Sequence, residues 1–91
     1  MTISFTQHTL EKLEQLLKTL AFKVRYERGN FKTGACILEN SQVIVVNKFL
    51  NTESKITSLI ELIQVMQTDE TLLDEKQKQF LYTLKQTKLE L

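Results

Sequence analysis

The chain has no proline, no tryptophan, two glycines, one cysteine and one histidine. A lone Cys36 excludes an internal disulfide. Small secreted domains usually carry paired cysteines, so a reducing compartment is expected, with the cytoplasm as the default. Cys36 and His8 cannot together supply the roughly four clustered ligands of a zinc site, and no metal or other cofactor is expected. Gly29 and Gly34 both lie between strand-like segments, and no lysine-serine or lysine-threonine pair follows them to open a helix. That excludes a phosphate-binding glycine loop. Uninterrupted apolar runs reach only four residues, Val43 to Val46 among them. A bilayer span needs roughly 20, so neither an anchor nor a signal peptide is expected, and no membrane partner. Twelve basic residues against eleven acidic ones leave a formal charge of +1. There is no overall field to draw the chain to nucleic acid or to an acidic surface, and any binding must rest on a local patch.

What is present is the composition of a folded domain. At 91 residues there is room for one hydrophobic core and not two, so residues 1–91 read as a single small α/β domain. Leu10, Leu13, Leu16, Leu17 and Leu20 recur at helical spacing, with Glu11, Lys12, Gln15 and Lys18 opposite, and Thr6 or Thr9 is placed to cap the helix. From Phe22 the period changes to two: Phe22, Val24 and Tyr26 alternate with Lys23, Arg25 and Glu27, as in a half-buried strand. Gly29 and Asn30 mark a turn, Gly34 to Glu39 a second strand, and Asn40 with Ser41 a tight hairpin. Gln42 to Asn47 is the strongest strand, since Val43, Ile44, Val45 and Val46 are all β-branched.

Asn51 or Thr52 then offers a cap for a second helix with the stripe Ile56, Leu59, Ile60, Ile63 and Met66. Thr68 to Thr71 interrupts the period. Asp74 followed by Gln77 resembles a capping box opening a last helix through Leu84 or beyond. Leu73, Phe80, Leu81 and Leu84 form its stripe, and Lys76, Lys78, Lys85 and Lys88 coat the rest. The expected fold is α+β: an N-terminal helix, a three-stranded antiparallel meander and two C-terminal helices. In such a meander the apolar third strand lies at an edge. An uncovered edge of that kind invites a second subunit, which argues for a homodimer.

Few residues suggest chemistry. His8 falls in the polar segment before the first helix, away from any nucleophile, and reads as an exposed residue. Cys36 in the second strand reads as a small buried hydrophobe; activation would require Lys23 or Arg25 on its own face of the sheet. Asp69, Glu70, Asp74 and Glu75 sit where helix starts favour negative charge, which accounts for them without acid-base catalysis. One segment is biased. Between Phe22 and Lys32, the cations Lys23, Arg25, Arg28 and Lys32 oppose Glu27 alone. Basic residues among aromatics can bind single-stranded nucleic acid, but alternation puts Phe22 and Tyr26 on the face opposite Lys23 and Arg25, so a solvated sheet face is the plainer reading.

The run Gly29-Asn30-Phe31-Lys32-Thr33-Gly34-Ala35-Cys36-Ile37-Leu38, followed by Val43-Ile44-Val45-Val46-Asn47-Lys48, resembles a short uncharacterised family from Bacteroidetes-type bacteria over the stretch from Leu10 to Met66. The resemblance implies the compartment and the small α/β architecture, and no mechanism. More distantly, the chain is similar to the front half of the ImmA/IrrE zinc peptidases, whose helix carries His-Glu-x-x-His. Ile60-Glu61-Leu62-Ile63-Gln64 stands in that place and keeps only the glutamate, so the similarity implies a scaffold without the metal.

The expectation from sequence is therefore a non-enzymatic interaction or structural module. It would bind itself or another protein through the third strand, with Val43, Ile44, Val45 and Val46 as the interface, or through the outer sheet face. One alternative is a nucleic-acid binder using Lys23, Arg25, Arg28, Lys32 and Lys48 against phosphates. Another is a thiol-dependent enzyme or redox sensor using Cys36.

Overall fold

The leucine stripe of the first helix forms because five leucines at three- and four-residue steps have one side to bury and a capping oxygen to start from. In the computed structural model, which describes residues 3–29, 31–38 and 40–87, helix α1 spans Gln7–Thr19. It opens on Thr6, whose Oγ1 accepts from the Thr9 amide at 3.3 Å. His8 thus lies within the first turn of α1 and not ahead of it, and it is exposed. The helix is capped at Leu20 and stopped by Ala21, which sits at φ 68° in the left-handed region that breaks the helical period.

Three strands follow, β1 Phe22–Glu27, β2 Gly34–Leu38 and β3 Ser41–Asn47. Ser41 opens β3 and does not belong to the turn, where Asn40 takes positive φ, 65°. The expected turn residue Asn30, the strand end Glu39 and the helix-coating Lys88 lie outside the described residues.

The class is α+β, with three helices on one three-stranded sheet, but the sheet is not an antiparallel meander. Its order is β1-β3-β2, with β3 antiparallel to β2 and parallel to β1. The strongest strand is therefore central and not at the edge. The reason lies in its composition: four β-branched residues in a row have apolar groups on both faces, and only a middle strand covers both. Ile44 and Val46 face the helices and are fully buried; Val43 faces the other way and is buried between its register neighbours Lys23 and Cys36. The meander expectation also assumed that β1 and β2 pair because they are consecutive. The connection from residue 28 to 33 is instead long enough to cross the roughly 10 Å of two strand spacings and leave a place for β3.

Helix α2, Thr52–Val65, starts on Asn51, whose Oδ1 accepts from the Ser54 amide at 2.7 Å. A 3-10 turn at Glu70–Leu72, unannounced by periodicity, precedes α3, Glu75–Gln86, so the helical order differs from a simple pair after the sheet. The capping box that opens α3 is made by Asp74 and Gln77. Gln77 Nε2 also donates to Thr19 Oγ1 at 3.0 Å, tying the start of α3 to the end of α1. Helix α1 packs on β1 and on α2, and α3 packs on α2. The core joins Leu13, Leu16 and Leu17 of α1 to Ile44 and Val46 of β3, Ile56, Leu59, Ile60 and Ile63 of α2, and Leu81 and Leu84 of α3. No helix among the described residues is long and apolar enough to cross a membrane.

Candidate functional site

Two regions carry side chains that the core does not explain. The first is the free edge of the sheet. Ala35 and Ile37 of β2 stand in register with Ile44 and Gln42, on the helical face, yet both are exposed, Ile37 by 74%. The helical layer covers β1 and β3 and stops short of β2. Cys36, on the opposite face, is exposed as well; the expectation of a small buried hydrophobe fails because that expectation placed its strand inside a covered sheet. No residue of Gly34–Leu38 is charged, whereas β1, at the other edge, carries Lys23, Arg25 and Glu27. Among the described residues, none of the main-chain hydrogen bonds outside helices and sheet involves β2. Beside this edge an open groove of about 800 Å³ lies between α2 and the connection from β1, lined in part by Phe31, Thr33, Leu62 and Val65, the last 81% exposed. A hydrogen bond of 2.9 Å from Thr33 Oγ1 to Ser58 Oγ holds that connection to α2.

The second region is the carboxyl end of the parallel pair β1 and β3. Asn47 closes β3 and works on both sides: its Nδ2 donates to the Gly29 carbonyl at 2.6 Å, and its Oδ1 accepts from the Phe49 amide at 3.0 Å. The Lys48 amide donates to the Glu27 carbonyl at 3.0 Å. These bonds fix two loops side by side. They bring the Arg28 guanidinium to 6.0 Å and the Lys48 ammonium to 5.9 Å from the centre of the Phe49 ring, which is 68% exposed. Lys48 also lines a pocket of about 320 Å³ with Lys55, Tyr26, Glu14, Gln7 and Leu10. Inside it the Tyr26 hydroxyl donates to Glu14, and Lys55 lies 5.2 Å from the Tyr26 ring centre. Burial, and then that bond to Glu14, hold the Tyr26 phenol well above the ordinary tyrosine range.

The five cations singled out by sequence are thus not one patch. Lys23 and Arg25 point from the outer face of β1, and Arg25 pairs with Glu27 at 2.8 Å. Lys32 lines the groove beside α2. Only Arg28 and Lys48 come together, joined by Phe49 and Lys55, which the sequence reading did not single out. The signal for Phe49 was a large ring in a polar turn directly after the strongest strand.

The proposed strand-pairing interface, Val43 to Val46, is not available at an edge, because both sides of β3 are already paired. Cys36 does share the outer face with Lys23, but with β3 between them they stand about 10 Å apart. Asp69, Asp74 and Glu75 belong to the starts of the 3-10 turn and α3, and Glu70 accepts a hydrogen bond from Tyr82 at 2.8 Å. In the stretch similar to His-Glu-x-x-His, Ile60 is fully buried in the core and Glu61 faces the groove. Gln64 Nε2 donates to the carbonyls of Leu84 and Thr87 at 2.8 and 2.7 Å, closing the end of α3. Among the described residues no three histidine, cysteine, aspartate or glutamate side chains are grouped to hold a metal.

Comparison with known proteins finds no matching family model, no matching curated protein and no matching solved structure. These comparisons bear on neither resemblance drawn from the sequence.

Proposed function

We propose that the protein is a non-enzymatic interaction module that pairs with a second copy of itself through the free edge of β2. The observation that carries this reading is an uncharged edge strand with exposed Ala35, Cys36 and Ile37 in a chain whose other edge strand is charged. Natural edges are normally blunted by charge, proline or cover, and an unblunted one is a template for another strand.

The hairpin decides which residues of β2 present their main chain to such a pair. Leu38 and Ser41 close the connection between β2 and β3, so Gly34, Cys36 and Leu38 direct their main-chain groups to β3. Those of Ala35 and Ile37 then face the free edge. Antiparallel pairing about a two-fold axis sets Ala35 of each copy opposite Ile37 of the other, with Cys36 opposite Cys36 at the centre. That central pair is of the non-hydrogen-bonded kind, with Cα atoms about 4.5 Å apart, inside the range of about 4.4–6.8 Å that a disulfide spans.

Light scattering of the eluting protein over a range of concentrations tests the association; the expected mass approaches two chains, and one chain at every concentration would overturn it. Diamide, which takes up the two thiol hydrogens as the sulfur-sulfur bond forms, tests the register. Rapid conversion to a covalent dimer at protein concentrations where the mass is already doubled is expected, and a non-covalent dimer that resists cross-linking would exclude this register.

A further inference from the structure

We infer that the carboxyl end of β1 and β3 is a binding site for single-stranded nucleic acid, formed by Arg28, Lys48, Lys55 and the ring of Phe49. The inference is independent of the β2 edge. Four observations carry it. Phe49 is 68% exposed in a turn whose backbone is fixed by Asn47, so its exposure is built in. Two cations lie close to that ring, Arg28 at 6.0 Å and Lys48 at 5.9 Å from its centre. Lys48 leads on to Lys55 across the small pocket. Among the described residues the ion pairs are Arg25 with Glu27 and Lys78 with Glu75, so Arg28, Lys48 and Lys55 are in none of them.

The one carboxylate in the pocket, Glu14, accepts the Tyr26 hydroxyl. The arrangement alternates cation, ring, cation, pocket, cation, and a single strand offers phosphates and unpaired bases in the same alternation. The place is also favourable: the start of α2 at Asn51 lies directly beyond Phe49, with its positive dipole end, and the carboxyl ends of parallel strands are where open sheets leave crevices. A lipid surface would take the cations at its headgroups and the ring among its acyl chains, but would leave the pocket between Lys48 and Lys55 unused. A duplex has its bases stacked away from such a ring.

Fluorescence polarisation of a labelled oligothymidylate against the full chain at low salt, repeated as salt rises, tests the site. Arg28→Ala with Lys48→Ala should weaken binding at least about tenfold and flatten the logarithmic salt slope by about 1.4, two phosphate contacts at about 0.7 each. Phe49→Leu keeps the apolar bulk and removes the stack; it should weaken binding by about fivefold to a hundredfold with the slope unchanged. Circular dichroism melts of both variants, all at exposed positions, are expected to match the parent chain. Absence of binding at low salt, or parental affinity in either variant, would overturn the site. So would binding that appears only with phosphatidylserine vesicles and depends on Phe49, which would assign the cluster to a membrane surface.

Discussion

Replacing Ile37 by lysine separates association from folding. The side chain is 74% exposed in the single chain, so the fold gains little from it, and a lysine there should leave monomer stability within about 0.5 kcal/mol. In the two-fold pair the exposed part would be covered. Full burial of an isoleucine contributes about 1.5–3 kcal/mol, so covering three quarters of it contributes about 1–2 kcal/mol, and two copies about 2–4 kcal/mol. At about 1.4 kcal/mol per decade, losing both raises the dissociation constant about thirtyfold to several hundredfold, before any repulsion between the new charges. Sedimentation equilibrium gives the dissociation constant, and a urea melt at low concentration gives the stability. An unchanged dissociation constant would refute pairing through β2. A large loss of monomer stability would refute the claim that the helical layer ends at β3. Ile44→Lys is the informative contrast, since Ile44 is fully buried at the centre of the sheet and the same charge there should abolish folding.

Other predictions follow from local geometry. Ala21 occupies the left-handed region at φ 68°, so Ala21→Gly should raise stability by about 0.5–1 kcal/mol in denaturant titration. Gly29→Ala should do the reverse: φ is +152°, and a Cβ would stand 2.7 Å from the Phe31 ring, so a loss of about 1–3 kcal/mol is expected. Asp74→Ala removes one arm of the capping box and should cost about 1 kcal/mol, a fall of roughly 4–8 °C in melting temperature. Because the Tyr26 pKa is raised in the folded chain, its contribution is complete below the unfolded value of about 10 and is lost as pH climbs through the higher folded one. Tyr26→Phe should therefore lose less stability than the parent above about pH 10, and absorbance titration should show both phenols, Tyr26 and Tyr82, ionising above the ordinary tyrosine range until alkaline unfolding.

Residue order alone determined the three α-helices and the three strands, because their causes are local. Five leucines at helical spacing, the alternation from Phe22 to Glu27 and the Asp74–Gln77 box act within a few residues of themselves, and α1, β1 and the start of α3 lie where those patterns put them. The burial of the α2 stripe follows from its period in the same way. Strand order was not legible, because which strands pair depends on what covers them and not on which are consecutive. The run Val43 to Val46 did state that the strand wants cover on both faces; tertiary structure met that want by placing it in the middle, and so left β2 at the edge with Cys36 and Ile37 exposed. The basic residues were visible as a segment, but their sorting was not. Arg28 meets Lys48 only because β1 and β3 run parallel and end together, an arrangement set by long-range pairing, with Asn47 bridging the two loops that follow.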